Sequence, residues 1–243
     1  MRQTNQMEQE NKVPQHVVFL PDGNRRWAKE KGLDTLEGHK AGNKKLIPIC
    51  TWCKDRGSKI VTAFGFSSEN WNRTDREVHY LMDLFEEGLR ENFSDQAKID
   101  QARIMGVRVR IIGQKFRLPQ SLQDIIANVE ERTKNYDKFS LNLAVSYGGR
   151  WDIVQAAQQL LKEKFPAEKL TEETFGQYLS TSGLADPDLI IRTGGAQRLS
   201  NFLLWQSAYA ELYFCEKYWP DFEEQDLQAA FDEYASRQRR FGH

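Results

Sequence analysis

Six short, mostly apolar runs punctuate the chain, each long enough for one β-strand: His16–Leu20, Ile60–Phe66, Val107–Ile112, Leu141–Val145, Leu189–Ile191 and Leu212–Phe214. A strand that is apolar at successive positions must be covered on both faces, which is the habit of a parallel sheet. The segments between the runs carry a 3.6-residue period. Residues 40–55 place Leu46, Ile49, Cys50 and Cys53 on one side, and residues 75–92 align Val78, Leu81, Met82, Phe85 and Leu89. Residues 119–134, 150–164 and 223–238 also read as amphipathic helices. Strands alternating with helices predict an α/β fold: a single domain with a mostly parallel six-stranded sheet flanked by helices. Residues 1–14 are polar and are expected to form a disordered tail, with one domain over 15–243.

Composition narrows the function classes. The 34 basic and 35 acidic residues give a formal charge of −1, so there is no global attraction to nucleic acid. Three cysteines in 243 residues do not make a disulfide framework, which suits a reducing compartment. No run approaches the ~20 apolar residues of a membrane span, and Met1–Gln6 lacks the apolar core of a secretory signal. The expectation is a cytoplasmic protein.

In open α/β sheets, ligands gather at the carboxyl ends of the strands. The first strand runs into Asp22-Gly23-Asn24-Arg25-Arg26-Trp27. A helix starting near Asn24 would aim free N–H groups at the strand end, where the two arginines add charge suited to a phosphate. A carboxylate at such a site calls for an intervening cation, so Asp22 suggests Mg²⁺, although for an isolated Asp-Gly-Asn a plain helix cap is the commoner role. The second strand ends in Phe66-Ser67-Ser68-Glu69-Asn70-Trp71-Asn72-Arg73, which is either a well-capped helix start or a binding loop. The fifth ends in Arg192-Thr193-Gly194-Gly195 and continues through Arg198-Leu199-Ser200-Asn201, with an apolar helix expected over Phe202–Trp205 and Ser200 as its cap. Neither a Walker A loop nor a dinucleotide fingerprint is present. The loops predict a binder of di- or polyphosphates that uses neither common loop. His39 lies near the first loop, where it could donate to a phosphate or move a proton. The Cys50-x-x-Cys53 pair falls inside a helical stripe and, like Cys215, is expected to be structural. No G-x-S-x-G starts a hydrolase reading.

Taken together, the loops resemble the cis-prenyltransferases. The matching segments are Asp22–Trp27, Gly38–Gly42, Phe66–Arg73, Asn142–Val145 with Tyr147–Asp152, Asp188–Gly195 with Arg198 and Ser200-Asn201, Ala210–Phe214, and the terminal Arg239–Gly242. The resemblance implies elongation of farnesyl diphosphate by successive cis condensations with isopentenyl diphosphate, releasing diphosphate with Mg²⁺ as cofactor. Its product would be undecaprenyl diphosphate, the carrier precursor for cell-wall polysaccharide synthesis. Asp22 is implied as a catalytic residue that holds or positions the metal, with Gly23, Asn24, Arg25, Arg26, Trp27 and His39 around the allylic diphosphate. Ser67, Ser68, Glu69 and Arg73 complete the reacting shell, and Phe66 and Trp71 are expected to shield the developing allylic cation. Arg192, Arg198, Leu199 and Ser200 match the isopentenyl diphosphate site. Glu211 matches a metal-linked acid, and with Arg240 and Gly242 it is implied to act across a homodimer interface.

Asn70 matches the position assigned to proton abstraction. A neutral amide has little proton affinity near pH 7, so orienting the isopentenyl group is the role physics favours. The product needs a dry container. The Val78–Leu89 stripe is expected to wall an apolar tunnel, with Ile99–Met105 at its far end, and ordinary core packing would give the same periodicity. Membrane contact is expected only transiently, through the lipid product at the inner face.

The chain departs from the family pattern at Pro21, Arg25, Thr35 and Ala196-Gln197, and Arg25 is expected to compensate for the basic contact missing at Thr35. A non-catalytic subunit of a prenyltransferase complex would have lost the Asp and the phosphate arginines, which are all present here. Nucleic-acid binding has only Arg237, Arg239, Arg240 and scattered aromatics in its favour. An all-helical trans-prenyltransferase is excluded by the strands and by the absence of D-D-x-x-D.

Overall fold

The computed structural model describes residues 13–93, 102 and 104–237. Its frame is a sheet of six parallel strands: β1 His16–Leu20, β2 Ile60–Ser67, β3 Val107–Ile112, β4 Phe139–Tyr147, β5 Leu189–Arg192 and β6 Glu211–Phe214. The spatial order is β3-β4-β2-β1-β5-β6. Both faces are covered, as the apolar runs demand. Val17 and Phe19 point into one cluster with Val61, Val109 and Leu141, while Val18 and Leu20 point into the other with Ala144, Ile190 and Phe202. Parallel pairing needs long crossovers, and helices supply them.

The helices whose bounds fall within the described residues are α1 Asn24–Glu30, α2 Thr35–Asn43, α3 Leu46–Asp55, α4 Asp75–Phe93, α5 Gln120–Thr133, α6 Gly149–Lys162, α7 Glu172–Gly176 and α8 Glu224–Ser236. Four of the five helices expected from periodicity appear within a few residues of their expected bounds. The helix expected over 40–55 is instead two, α2 and α3, broken at Lys44-Lys45. Pro48 explains the break: it lacks an N–H and is tolerated only in a first turn, so a new helix must begin just before it. The helix expected over Phe202–Trp205 is absent, and that segment is a run of turns. Ser200, Asn201 and Leu203 all have positive φ (50°, 63° and 44°), which interrupts any helical path. Ser200 is therefore not a helix cap.

Two glycines allow close packing around α1. Gly23 starts α1 at φ 100°, with the Tyr218 ring where a Cβ would stand. Gly38 presses α2 onto α1 so tightly that a Cβ there would lie 2.0 Å from the Asn24 carbonyl oxygen. The G-H-K-A-G segment is thus a packing device that delivers His39 to the end of β1.

Cys50, Cys53 and Cys215 are free and buried, and burial pushes Cys50 up to about 12, so these thiols are neutral structural groups. Among the described residues, no helix is long and apolar enough to cross a membrane.

Candidate active site

β1 is the point where the strand order reverses. The chain steps from β1 to β2 on one side, and later enters β5 on the other. The loops after β1 and β5 therefore meet at the carboxyl edge of the sheet, and Asp22 stands in the crevice. Its backbone N–H donates to Thr193 Oγ1 at 2.9 Å, and that hydroxyl donates back to the Asp22 carbonyl at 2.8 Å. The Asp22 carboxylate accepts from Arg192 Nη2 at 2.7 Å, from Gly23 N–H at 2.6 Å and from Arg26 Nη2 at 3.2 Å. Partial burial opposes its ionisation, but Arg192, Gly23 and Arg26 outweigh that and hold the carboxyl below its ordinary range.

Arg192 is only 5% exposed, yet its guanidinium reaches the crevice. Besides Asp22, it donates through Nη1 to Ser200 Oγ at 2.7 Å and to the Arg198 carbonyl. Its buried Nε has no partner. The positive φ at Ser200 turns that hydroxyl back onto Arg192, so one arginine ties the β1 loop to the β5 loop.

A second cationic group lies on the α1–α2 side. His39 Nε2 is 3.2 Å from Glu77 Oε1, and Arg73 Nη1 donates to the same oxygen at 2.8 Å. Arg25 Nε is 3.9 Å away. Burial, reinforced by Arg73 and Arg25, lowers the His39 pKa despite Glu77, so His39 is held neutral near pH 7. Arg25, Arg26, Lys29, His39 and Arg73 share one open pocket with Asp22.

The third contribution follows β2. Ser67 caps the short helical turn Ser68–Asn72, and its N–H donates to Asn70 Oδ1 at 3.1 Å. The Glu69 carboxylate takes Asn201 Nδ2 at 2.7 Å and Ser68 Oγ at 2.9 Å, and it also accepts from Ser67 Oγ. Hydrogen bonds from Ser67, Asn201 and Ser68 outweigh burial and keep it ionised. This turn is therefore both a well-capped helix start and a wall of the crevice.

Below the polar mouth, a cavity of about 770 Å³ continues between α3, α4 and the sheet. Asp22, Asn24, His39, Asn70, Arg73, Arg192, Arg198 and Ser200 line its polar end, while Leu46, Leu81, Phe85, Leu89, Leu141 and Leu143 line its depth. The volume lies within the ~300–1,000 Å³ usual for ligand sites. Of the α4 stripe, Leu81, Phe85 and Leu89 face this space, whereas Met82 and Val78 pack into the core.

Several expected site residues stand elsewhere. Phe66 is fully buried, and the Trp71 ring packs edge-on against it at 5.0 Å. The Trp71 indole N–H donates to Ser146 Oγ at 2.8 Å, and Arg117 covers its ring. Both aromatics buttress the β2 turn, and neither lines the cavity. The Trp27 indole donates to Asp221 at 2.7 Å, and the half-buried Leu199 packs against the core. The Ser68 hydroxyl donates to Glu69.

Glu211 opens β6, paired with Leu189 and level with Val17, so it lies about 10 Å below the strand tips. It is ion-paired with Arg237. Within one chain it cannot share an ion with Asp22. Arg240 and Gly242, and most of Ile99–Met105, lie outside the described residues.

Two functional-looking residues escaped the sequence reading. Thr193 was hidden by its ordinary type. Glu77 was readable only through its i, i+4 spacing from Arg73.

The comparisons with known proteins agree with this geometry. Residues 20–242 match a family model described as "Putative undecaprenyl diphosphate synthase". An isoprenyl transferase of Thermotoga maritima is 47% identical, over 95% of this chain and 97% of the relative. A ditrans,polycis-undecaprenyl-diphosphate synthase of Legionella pneumophila, (2E,6E)-farnesyl-diphosphate specific, is 43% identical over 96% and 97%. The crystal structure of lavandulyl diphosphate synthase from Lavandula x intermedia, in complex with dimethylallyl diphosphate, superposes with a TM-score of 0.88 at 37% identity, covering 96% of this chain and 99% of that one. With strand tips that carry the Asp22–Arg192 junction and a family match spanning nearly the whole described fold, the chain belongs to the undecaprenyl diphosphate synthase family of cis-prenyltransferases.

Proposed function

We propose that this protein condenses farnesyl diphosphate with successive isopentenyl diphosphates in the cis configuration, releasing inorganic diphosphate at each step and ending at undecaprenyl diphosphate. The observation that carries the reading is continuity: a mouth built from Asp22, Arg192, Arg73 and His39 opens directly into an apolar cavity. Such a site fits a molecule with a diphosphate head and a hydrocarbon tail. The farnesyl primer and the product length are supported by the name of the Legionella relative. The lavender structure, bound to dimethylallyl diphosphate, marks the alternative of a shorter primer.

In each condensation the allylic C1–O bond breaks, a bond forms to C4 of isopentenyl diphosphate, and a C2 proton leaves. Negative charge grows on the departing diphosphate, where preorganised donors count most. Arg25, Arg26, His39 and Arg73 line the pocket that would receive it, with Gly23 and Asn24 beside them. Arg198 and Ser200, anchored through Arg192, serve the isopentenyl diphosphate. Asn70, its oxygen committed to Ser67, orients the isopentenyl group, and a diphosphate oxygen takes the proton.

Mg²⁺ is the expected cofactor, and the residues fit it in one specific way. Among the described residues no three acids, histidines or cysteines form a metal cluster, while Asp22 offers one partly exposed carboxylate at the mouth. One carboxylate plus substrate phosphate oxygens is a common Mg²⁺ arrangement. When bound, the ion supplies Lewis-acid stabilisation of the leaving diphosphate. Glu211, at the opposite edge of the sheet, reads as a contribution to a second copy's site, as do Arg240 and Gly242 in the resemblance. Each buried methylene contributes about 0.8 kcal/mol, so the lengthening chain is held ever more firmly. Detergent or lipid therefore speeds turnover, and membrane contact is transient and passes through the product.

The test is a product assay with purified protein, Mg²⁺, farnesyl diphosphate and labelled isopentenyl diphosphate, read by mass spectrometry, with Asp22→Ala and EDTA as controls. A ladder ending near undecaprenyl diphosphate, lost in both controls, is the expected result. A shorter terminus keeps the reaction and overturns the product. No incorporation by folded protein returns weight to a non-catalytic subunit.

A further inference from the structure

Glu77 is 8% exposed and sits behind the cationic side of the mouth, in the first turn of α4. It lines neither the cavity nor the open pocket, so it is not placed to touch a substrate. What it touches are groups from other elements that do line both spaces: His39 from α2 at 3.2 Å and Arg73 from the turn after β2 at 2.8 Å. Arg25 of α1 is 3.9 Å away. The same oxygen, Oε1, serves all three. Three cationic or potentially cationic groups converging on one anion site repel one another. Without a counter-charge, Arg73 would swing toward solvent and His39 would have no fixed ring orientation.

We infer that Glu77 is a positioning residue for the primer half of the site, holding Arg73 and His39 aimed at the allylic diphosphate, while the Arg192–Arg198–Ser200 half is independent of it. This rests on the functional reading above and adds to it the residue that sets primer affinity. With Nε2 donating to Glu77, Nδ1 can donate to a diphosphate only when the ring is protonated, so Glu77, by favouring the protonated ring, also makes that contact available as the anion binds. The charged groups facing His39 are Glu77 from α4, Arg73 from the preceding turn and Arg25 from α1. Of these, Glu77 alone favours the protonated ring.

The inference opposes a simpler electrostatic expectation. If Glu77 were only a nearby negative charge, removing it would tighten anion binding. If it positions the cations, removal weakens binding although the site becomes more positive.

The experiment uses the full chain with Glu77→Ala and Glu77→Gln, the second retaining an acceptor oxygen without the charge. Inorganic diphosphate binding is measured by calorimetry, and the Michaelis constants of farnesyl and isopentenyl diphosphate are measured separately. The His39 Cε1–H titration is followed by NMR. Glu77→Ala is expected to weaken diphosphate binding and raise the farnesyl diphosphate constant about tenfold, the scale of one lost charge-assisted contact. The isopentenyl diphosphate constant should stay within about twofold, since its half of the site keeps its own anchors. Glu77→Gln should recover part of the loss and lower the His39 midpoint.

Tighter diphosphate binding in Glu77→Ala, or equal changes in both Michaelis constants, overturns the inference. So does a lowered Tm with unchanged constants, which would make Glu77 a fold residue only. If the wild type incorporates no isopentenyl diphosphate, the functional reading fails. Calorimetry and the His39 titration still decide the inference.

Discussion

Replacing Arg192 by Met tests the junction on which the site depends. Arg192 is buried and spans Asp22, Ser200 and the Arg198 carbonyl. Removing one partner of a fully buried ion pair costs about 3–5 kcal/mol, because the other charge is left uncompensated. The Asp22 side chain is 33% exposed, so water replaces part of what is lost and the expected cost is nearer ~2 kcal/mol. For a chain of this size each kcal/mol moves Tm by about 2–4 °C, which puts the fall at ~4–8 °C. Asp22→Asn alone strands the buried guanidinium and should cost a similar amount. The double variant removes both charges together and should cost well under the sum, with a coupling energy of ~1.5–2 kcal/mol by urea unfolding. Additivity within about 0.5 kcal/mol would show that the two charges do not stabilise one another, and the reasoning would fail.

Further outcomes follow from particular contacts. Gly38→Ala drives a methyl group into the Asn24 carbonyl and should cost about 2–3 kcal/mol by overpacking, with primer affinity lost before isopentenyl affinity; urea unfolding and separate Michaelis constants check it. Leu84→Trp, on the α4 wall of the cavity, should shift the mass-spectrometric product ladder to shorter chains without abolishing condensation. His16 is held near pKa 4 by burial, against an ordinary 6.5. A lowered histidine pKa gives stability that is complete above 6.5 and lost as pH falls toward 4, at most about 3 kcal/mol. Urea midpoints across pH 4–7.5 should show that slope in the wild type and a flatter one in His16→Gln.

The chain alone determined the layers and the chemistry at the strand ends. Runs such as His16–Leu20 are apolar at successive positions, and their alternation with helical periods points to a parallel sheet covered on both faces. The helix periods located α4, α5, α6 and α8 because burial of one face is written in local spacing. Arg25, Arg26, Arg192 and Arg198 were legible as phosphate chemistry because arginines beside glycines at strand ends match phosphate oxygens, whereas for Asp22 and the loop ending in Arg73 helix capping was an open reading. Where periodicity misled, the cause was backbone. Pro48 divided one helical stripe into two helices, and left-handed residues from Ser200 to Leu203 replaced a helix with turns that return Ser200 to Arg192. Only the tertiary structure decided which loops meet. The reversal of strand order at β1 brings Arg192 to Asp22, and the crossover into α4 brings Glu77 behind His39 and Arg73. It also turned Phe66 and Trp71 away from the cavity and left Glu211 at the far edge of the sheet. Residue spacing records what a segment can bury; which segments become neighbours is set by how the crossovers pack around the common core.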